Sequence, residues 1–176
     1  MRKTLAFLSI LMAGQALAGA DSPHYLNASI GAANFAELPS SGSGGLINVG
    51  FWVNSSWAVE GGYSYFSSTQ YGADVHNSIV DIAARKTFLQ QDNFALYGRL
   101  GLGYEVDGWS GIAEGAPSCL CRDYSEKHAV VVAGLGATYA LNDTLDLQLE
   151  YSLFIPSGTT LPGRINAATA GLHYHF

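Results

Sequence analysis

The chain has 176 residues, of which 48% are hydrophobic and only 12% are charged, and its formal net charge is −6. Eight basic residues against fourteen acidic ones exclude the basic patches that nucleic-acid binding requires, so we expect no nucleic-acid partner. The length suffices for one domain with a sizeable core or for one small barrel.

The first twenty residues, MRKTLAFLSILMAGQALAGA, predict a secretory signal peptide. Two basic residues precede the apolar stretch Leu5–Met12, which is too short to span about 30 Å of hydrocarbon as an anchor. Ala16–Ala18 forms an A-x-A cleavage site. We therefore expect residues 1–18 to be removed, with Ala20 as an alternative cleavage point, and residues 19–176 to form one outer-membrane barrel domain.

Alternating apolar and polar residues predict eight strands, because successive side chains of a strand point to opposite faces. The predicted strands are His24–Ala33, Leu46–Val53, Trp57–Phe66, Ile79–Phe88, Phe94–Val106, His128–Ala140, Thr144–Phe154 and Arg164–Phe176. The connections alternate in length, with short turns at 54–56, 89–93 and 141–143 and long loops at 34–45, 67–78, 107–127 and 155–163. This layout predicts an all-β fold, an eight-stranded antiparallel up-and-down transmembrane β-barrel.

The two faces of the predicted strands differ in chemistry. One face is aliphatic, and the other carries charged side chains together with many glycines. Such a polar face is a poor lining for an apolar ligand pocket, but it suits a small lumen packed with ion pairs. We therefore predict that the aliphatic face points outward and that lumen ion pairs form among Glu60, Arg85, Arg99, Glu105 and Glu150.

Aromatic residues lie toward both ends of the aliphatic face. Trp57, Phe88, Phe94, Tyr139, Tyr174 and Phe176 lie at the short-turn end, and Tyr63, Tyr65, Tyr104 and Tyr151 lie toward the long-loop end. Two aromatic girdles around an apolar band are typical of a protein that crosses a bilayer. Lys86 is the exception on this face, near the short-turn rim, where a long side chain can snorkel.

Several stretches resemble the outer-membrane β-barrel family of the OmpA/OmpX transmembrane-domain type, small porin-like proteins that here consist of the barrel alone. The resemblance rests on VEGGYSYF (Val59–Phe66), RLGLGYE (Arg99–Glu105), GLGATYAL (Gly134–Leu141), LQLEYSLF (Leu147–Phe154) and the closing AGLHYHF. It implies a location in the outer membrane of a Gram-negative bacterium, among outer-membrane lipids and lipopolysaccharide, with both termini in the periplasm. It also implies that Leu172, Tyr174 and Phe176 form the C-terminal signal recognised by the β-barrel assembly machinery.

Members of this family with a salt-bridge gate place acidic and basic residues on four strands of the lumen. Glu60 and Arg85 match two of those positions, whereas Thr138 and Gln148 stand at the other two. The resemblance therefore implies a Glu60–Arg85 pair and not the full four-membered gate.

Two further clusters are candidates for chemistry. Cys119 and Cys121 lie in the longest predicted loop, and an oxidising compartment favours a disulfide there. One intervening residue makes such a ring tight, so free or intermolecular thiols and metal binding remain alternatives. His173 and His175 lie on the lumen face next to the strand that begins at His24, and two histidines on one strand face can bind a metal. We favour polar filling of the rim, and predict no metal site and no cofactor.

Three function classes fit the predicted barrel. It could be a structural or surface-interaction protein that contacts a host or surface ligand through long extracellular loops, a small-solute pore, or a lipid A-modifying enzyme. An enzyme needs a Ser/His/acid set at the lipid-facing rim, and no predicted strand sets a Ser and a His together on its outward face. An eight-stranded barrel has an interior about wide enough for its own side chains, which disfavours the pore. We therefore predict a surface-interaction role with no catalytic residues.

Overall fold

The protein is represented by a computed structural model that describes residues 23–38, 41–70, 73–110, 124–158 and 163–176. These residues form β1 (His24–Phe35), β2 (Ser41–Trp52), β3 (Trp57–Gln70), β4 (Ala73–Gln91), β5 (Phe94–Ser110), β6 (Tyr124–Ala140), β7 (Leu145–Pro156) and β8 (Ile165–His175). Each strand pairs antiparallel with the next, and β8 pairs with β1, so the sheet is a closed barrel. The predicted eight-stranded up-and-down barrel is confirmed. Among the described residues, no helix is long and apolar enough to cross a membrane.

The barrel closes where β1 meets β8. Tyr25 lies opposite His175, and at the other end of the seam Phe35 lies opposite Ile165. Beyond the last ladder pair, the main-chain N–H of Phe176 donates to the carbonyl oxygen of His24 at 3.1 Å. Closure leaves no free strand edge, which a bilayer requires because hydrocarbon offers backbone groups no hydrogen-bond partners.

The predicted alternation of faces also holds. Ile30, Leu102 and Leu135 on the aliphatic face are 77%, 67% and 66% exposed, although they are among the most apolar side chains of the protein. The charged side chains of the opposite face are buried inside the barrel. A barrel that is apolar outside and charged inside is arranged for lipid and not for water.

The predicted long loops are wrong over much of their length. Ser41–Gly45 and Ser67–Gln70 belong to β2 and β3, and Ala73–Ser78 begins β4, so only residues 36–40 and 71–72 remain as the first two connections at this end. The glycines and serines that suggested loops instead continue the ladder, with Gly44 opposite Phe66. A Cβ on Gly44 would lie 2.6 Å from Cδ1 of the Phe66 side chain, so a glycine is needed where this ring fills the barrel.

The same extension occurs in the second half of the barrel. β5 continues to Ser110 and β6 begins at Tyr124, so the third predicted loop is reduced to residues 111–123. The fourth connection comprises residues 157–164. We call this end, with connections 36–40, 71–72, 111–123 and 157–164, the hairpin mouth. The opposite end, with the short turns and the barrel ends His24 and Phe176, is the short-turn mouth.

The short turns depend on side-chain oxygens that accept main-chain hydrogens. Asn54 Oδ1 accepts from the N–H groups of Ser56 and Trp57, each at 3.0 Å. Asn142 Oδ1 accepts from the N–H of Thr144 at 3.0 Å. Asx turns of this kind stabilise tight connections between strands. β4 is longer than predicted and runs to Gln91, past a register shift between Thr87 and Leu89.

Candidate functional site

The lumen at mid-height holds a network of two arginines and three carboxylates from β3, β4, β5 and β7. Arg85 Nη1 lies 3.3 Å from Glu60 Oε1, and Arg99 Nε lies 2.8 Å from Glu60 Oε2. Arg99 also pairs through Nη2 with Asp81 and lies 4.0 Å through Nη1 from Glu150 Oε1. All five side chains are at most 3% exposed. Burial of so many charges is tolerated only because each faces an opposite charge.

The strand register explains why the carboxylates are needed. Arg85 and Arg99 lie directly opposite each other on β4 and β5 and point into the same lumen. Two like charges at such a position repel. Glu60 contacts both arginines and therefore bridges them.

Space for this network comes from a glycine. Gly62 lies between Asn48 on β2 and Asp81 on β4 in the ladder. A Cβ at this position would lie 2.7 Å from Asp81 Oδ2 and 2.8 Å from Arg99 Nη2. Any side chain on Gly62 would therefore displace the ion pair.

Tyrosines complete the network on the side of the short-turn mouth. The Tyr25 hydroxyl donates to Glu60 Oε1 at 2.6 Å, and the Tyr97 hydroxyl donates to Glu150 Oε2 at 2.6 Å. The Arg85 guanidinium carbon lies 3.6 Å from the centre of the Tyr97 ring, a cation–π contact. These bonds hold both carboxylates in place. The sequence analysis does not single out Tyr25. Its position two residues before Asn27 places it on the same lumen face, and this alternation could have identified it.

Glu105 does not join this network. It lies six residues along β5 from Arg99, about 20 Å at the rise of a strand. Asn77 Nδ2 donates to both Glu105 and Asp107 there. Among the described residues Glu105 has no ion-pair partner. The strand face of Glu105 was predicted from the sequence, but its height in the barrel places it in a layer away from both arginines.

An apolar cluster fills the lumen on the hairpin side of the network. It consists of Ala33, Phe35, Phe66, Ile79, Val130, Val132, Phe154, Ile165 and Ala167, all at most 3% exposed. The rings of Phe66 and Phe154 pack with centroids 5.5 Å apart. Sequence reasoning missed this cluster, although the alternation already placed both phenylalanines on the lumen face. Together with the network, the cluster fills the barrel interior across its width.

The side chains of Asp146, His173 and His175 lie close together in the lumen at the short-turn mouth. His173 Nδ1 lies 3.2 Å from Gln148 Oε1 and 3.3 Å from Arg85 Nη1. His175 Nε2 lies 2.8 Å from Asp146 Oδ2. His24 is not part of this group, because it lies on the outer face with its ring centroid 6.2 Å from that of Phe176.

The remaining predicted residues lie on the outer face or outside the described residues. Leu172 is exposed on the outer face, and the Tyr174 and Phe176 rings stack with centroids 6.1 Å apart at the short-turn mouth. Lys86 reaches the Trp57 ring, with Nζ 5.0 Å from its centroid. Residues 1–18 and Ala20, and both Cys119 and Cys121, lie outside the described residues.

A closed barrel with an aliphatic exterior and a charged, filled interior defines the class of integral outer-membrane β-barrels. The family described as "Outer membrane protein beta-barrel domain" matches residues 4–176, and the chain belongs to this family. The predicted resemblance is thereby confirmed, and it places the protein in the outer membrane of Gram-negative bacteria.

Solved structures with a similar fold come from several bacteria. Neisserial surface protein A is 17% identical with a TM-score of 0.71, covering 88% of this chain and 98% of its own. Ail, the attachment invasion locus protein of Yersinia pestis, is 14% identical with a TM-score of 0.58 over 88% and 97% of the two chains. The N-terminal β-barrel domain of Pseudomonas aeruginosa OprF is 15% identical with a TM-score of 0.58 over 89% and 100%. At these identities the likeness shows a shared fold. No curated protein matches the chain in sequence.

Proposed function

We propose that this protein is a surface-contact barrel, which presents its projecting hairpins to a host or surface ligand and conducts no solute. The observation that carries the proposal is the length of the strands beyond the apolar band. From Tyr104, in the aromatic girdle, β5 continues six residues to Ser110, which is about 20 Å of strand. Its neighbours β4 and β6 pair with it over this length. A bilayer does not need this part of the sheet, whereas a contact surface does.

The orientation is part of the proposal. The hairpin mouth faces the outside of the cell, and the short-turn mouth, with both barrel ends, faces the periplasm. Outer-membrane barrels have short periplasmic turns and longer extracellular connections, which supports this assignment. Lipopolysaccharide then surrounds the outer half of the apolar band, and Leu172, Tyr174 and Phe176 lie where the β-barrel assembly machinery would recognise them.

A polar cleft of about 710 Å³ lies on the projecting part of β2, β3 and β4. Its lining combines hydroxyl groups, a carboxylate, an imidazole and one aromatic ring, from residues that include Ser41, Ser43, Tyr65, Ser67, Thr69, Asp74 and His76. Donors and acceptors of this kind, next to an aromatic ring, suit the hydroxyl groups of a carbohydrate.

The charge of the cleft favours an uncharged ligand over a sulfated one. Ail of Yersinia pestis has been solved with the heparin analogue sucrose octasulfate. In this chain Asp74 lines the cleft, and no lysine or arginine is among the described residues that line it. Because a carboxylate repels sulfate, we propose neutral glycans as the ligand class.

The test is adhesion of cells that display the barrel to immobilised neutral glycans. Wild-type cells should bind, and Asp74→Lys together with Ser67→Lys should reduce binding at least tenfold, because two ammonium groups replace the hydrogen-bonding surface of the cleft. Asp143→Lys at the short-turn mouth is the matched control and should bind as wild type. Equal binding by all three strains, or by cells without the barrel, would contradict the proposal.

The small-solute pore is a weaker candidate, because the ion-pair network and the apolar cluster fill the lumen. We also propose that the protein has no enzymatic activity.

A further inference from the structure

We propose that Asp146, His173 and His175 bind a divalent transition-metal ion, Zn²⁺ in the first place, in the lumen at the short-turn mouth. One ligand atom from each of the three side chains lies within 4.8 Å of the other two. From the sequence alone, only the two histidines could be placed next to each other. The pairing of β7 with β8 adds the third group, because Asp146 lies directly opposite His173.

The hydrogen bonds around His173 leave its second ring nitrogen free for a metal. Gln148 Nε2 donates to Glu150 Oε2 at 3.2 Å, which turns the amide oxygen of Gln148 toward His173. Both contacts to the ring, from the amide oxygen of Gln148 and from Nη1 of Arg85, are made at Nδ1. Nε2 is buried and has no hydrogen-bond partner among the described residues. A buried ring nitrogen without a partner costs free energy in either tautomer, and the tautomer with the proton on Nδ1 offers a cation the lone pair of Nε2.

The same bond supplies the outer support that metal-bound histidines usually have. A ligating imidazole commonly donates its other N–H to a carbonyl or carboxylate oxygen, which fixes the ring. The amide oxygen of Gln148 is placed for this role, 3.2 Å from His173 Nδ1. Among the described residues, Arg85 is the cation in contact with His173, and its Nη1 lies 3.3 Å from both His173 Nδ1 and Glu60 Oε1, so Glu60 matches its charge.

His175 and Asp146 lie slightly closer together than two ligands of one metal ion. His175 Nε2 lies 2.8 Å from Asp146 Oδ2. Two atoms that bind one Zn²⁺ at about 2.1 Å are separated by about 3.0–3.4 Å, depending on the angle between them. When the metal enters, the proton between the two atoms has to leave and the atoms have to move apart by a few tenths of an ångström.

The donor set selects the kind of metal. Two imidazoles and one carboxylate, with a fourth position open to water, match the ligands that Zn²⁺ accepts in three-ligand sites. Calcium and magnesium prefer oxygen ligands alone, whereas two histidines and one carboxylate also bind non-haem Fe(II), so the donor set indicates a transition metal and not an alkaline-earth ion.

An access path leads to the cluster from the short-turn mouth. A cavity of about 450 Å³ opens there, and Asp92 and Asp143 line it together with Asp146 and His175. The side chains of His175 and Asp146 are 33% and 15% exposed, so an ion can reach them from water. Three carboxylates around one opening attract cations.

The experiment measures Zn²⁺ binding to the purified full-length barrel in detergent by isothermal titration calorimetry. All samples carry Cys119→Ser and Cys121→Ser, so that thiolates contribute no metal ligand. Test variants are His175→Ala and Asp146→Ala. The matched control is His128→Ala, because His128 Nε2 pairs with Glu126 Oε2 at 3.2 Å in an equivalent histidine–carboxylate pair toward the hairpin mouth. Migration of boiled and unboiled samples on gels shows that each variant is folded.

We expect one Zn²⁺ per barrel, a Kd raised at least tenfold by each test variant, and no change in the control. Loss of an outer-shell partner alone costs 10- to 100-fold in metal affinity, so loss of a ligand should cost at least ~10-fold. Absence of Zn²⁺ uptake by the parent, or equal weakening in the control and in folded test variants, would overturn the proposal. Co²⁺ gives a second readout, because its visible absorption should appear in the parent and vanish in His175→Ala.

Discussion

Glu60 is the residue on which the lumen network depends, since it contacts both arginines. We expect Glu60→Ala to remove the only ion-pair partner of Arg85 among the described residues, while Arg99 keeps Asp81 and Glu150. The Tyr25 hydroxyl also loses its acceptor. The variant therefore leaves one buried guanidinium without a counter-charge, directly opposite a second one.

The expected magnitude follows from these contacts. Removing one partner of a buried ion pair costs about 3–5 kcal/mol of the free energy of unfolding, because the remaining charge stays buried and unpaired. Arg85→Ala should cost less, about 1–3 kcal/mol, because Glu60 keeps Arg99 at 2.8 Å. The double variant removes the unpaired charge together with its partner. Its cost should therefore fall about 1–3 kcal/mol below the sum of the two single variants.

The assay is urea unfolding of the barrel in lipid vesicles, followed by tryptophan fluorescence, for the wild type, the two single variants and the double variant. Glu60→Ala combined with Asp107→Ala is the matched control, because Asp107 bonds with Asn77 in a separate layer, and its two effects should add within about 0.5 kcal/mol. If Glu60→Ala and Arg85→Ala also add within that margin, the two side chains do not interact and the account of the network is wrong.

Three further predictions concern packing, assembly and the outer face. Gly62→Ala should lower the free energy of unfolding by about 1–3 kcal/mol, because its Cβ enters the Asp81–Arg99 pair. Gly61→Ala on the outer face should be neutral, because a Cβ there has nothing within 4 Å. Equal urea midpoints for the two variants would refute this prediction. Deletion of Phe176 should sharply reduce the amount of barrel in outer-membrane fractions, because it removes the last hydrogen bond of the barrel seam and an interfacial ring. An undiminished yield would contradict the proposed assembly signal. Lys86→Ala should change stability by no more than about 1 kcal/mol, because its cation–π contact with Trp57 is exposed, and a larger loss in the same assay would assign Lys86 a greater role.

Much of the fold could be predicted because side-chain alternation is a local property of the sequence. In β3 one face carries Val59, Gly61 and Tyr63, and the other face carries Ala58, Glu60 and Gly62. Once a bilayer is inferred, this pattern shows which face points to lipid and which points into the lumen. The signal fails where small residues dominate. Ser41–Gly45 has no apolar alternation, and only the ladder to β1 and β3 makes it a strand.

Contacts within the lumen were harder to predict because they depend on the height of each residue in the barrel. Glu60 and Arg85 lie on consecutive strands and both point inward, so their approach could be anticipated. Glu105 has the same parity but lies a layer away from the arginines. Asp146 joins His173 only through the register of β7 with β8, which the sequence of either strand alone does not give.

The most direct test of the proposed function is a planar-bilayer recording of the purified barrel. The network at Glu60 and the apolar cluster around Phe66 and Phe154 fill the interior, so we predict no steady conductance, both for the wild type and for a variant in which a short turn replaces residues 111–123. Large, stable, ion-selective channels that persist in that variant would show that the lumen is open. The protein would then be a pore and not a surface-contact barrel.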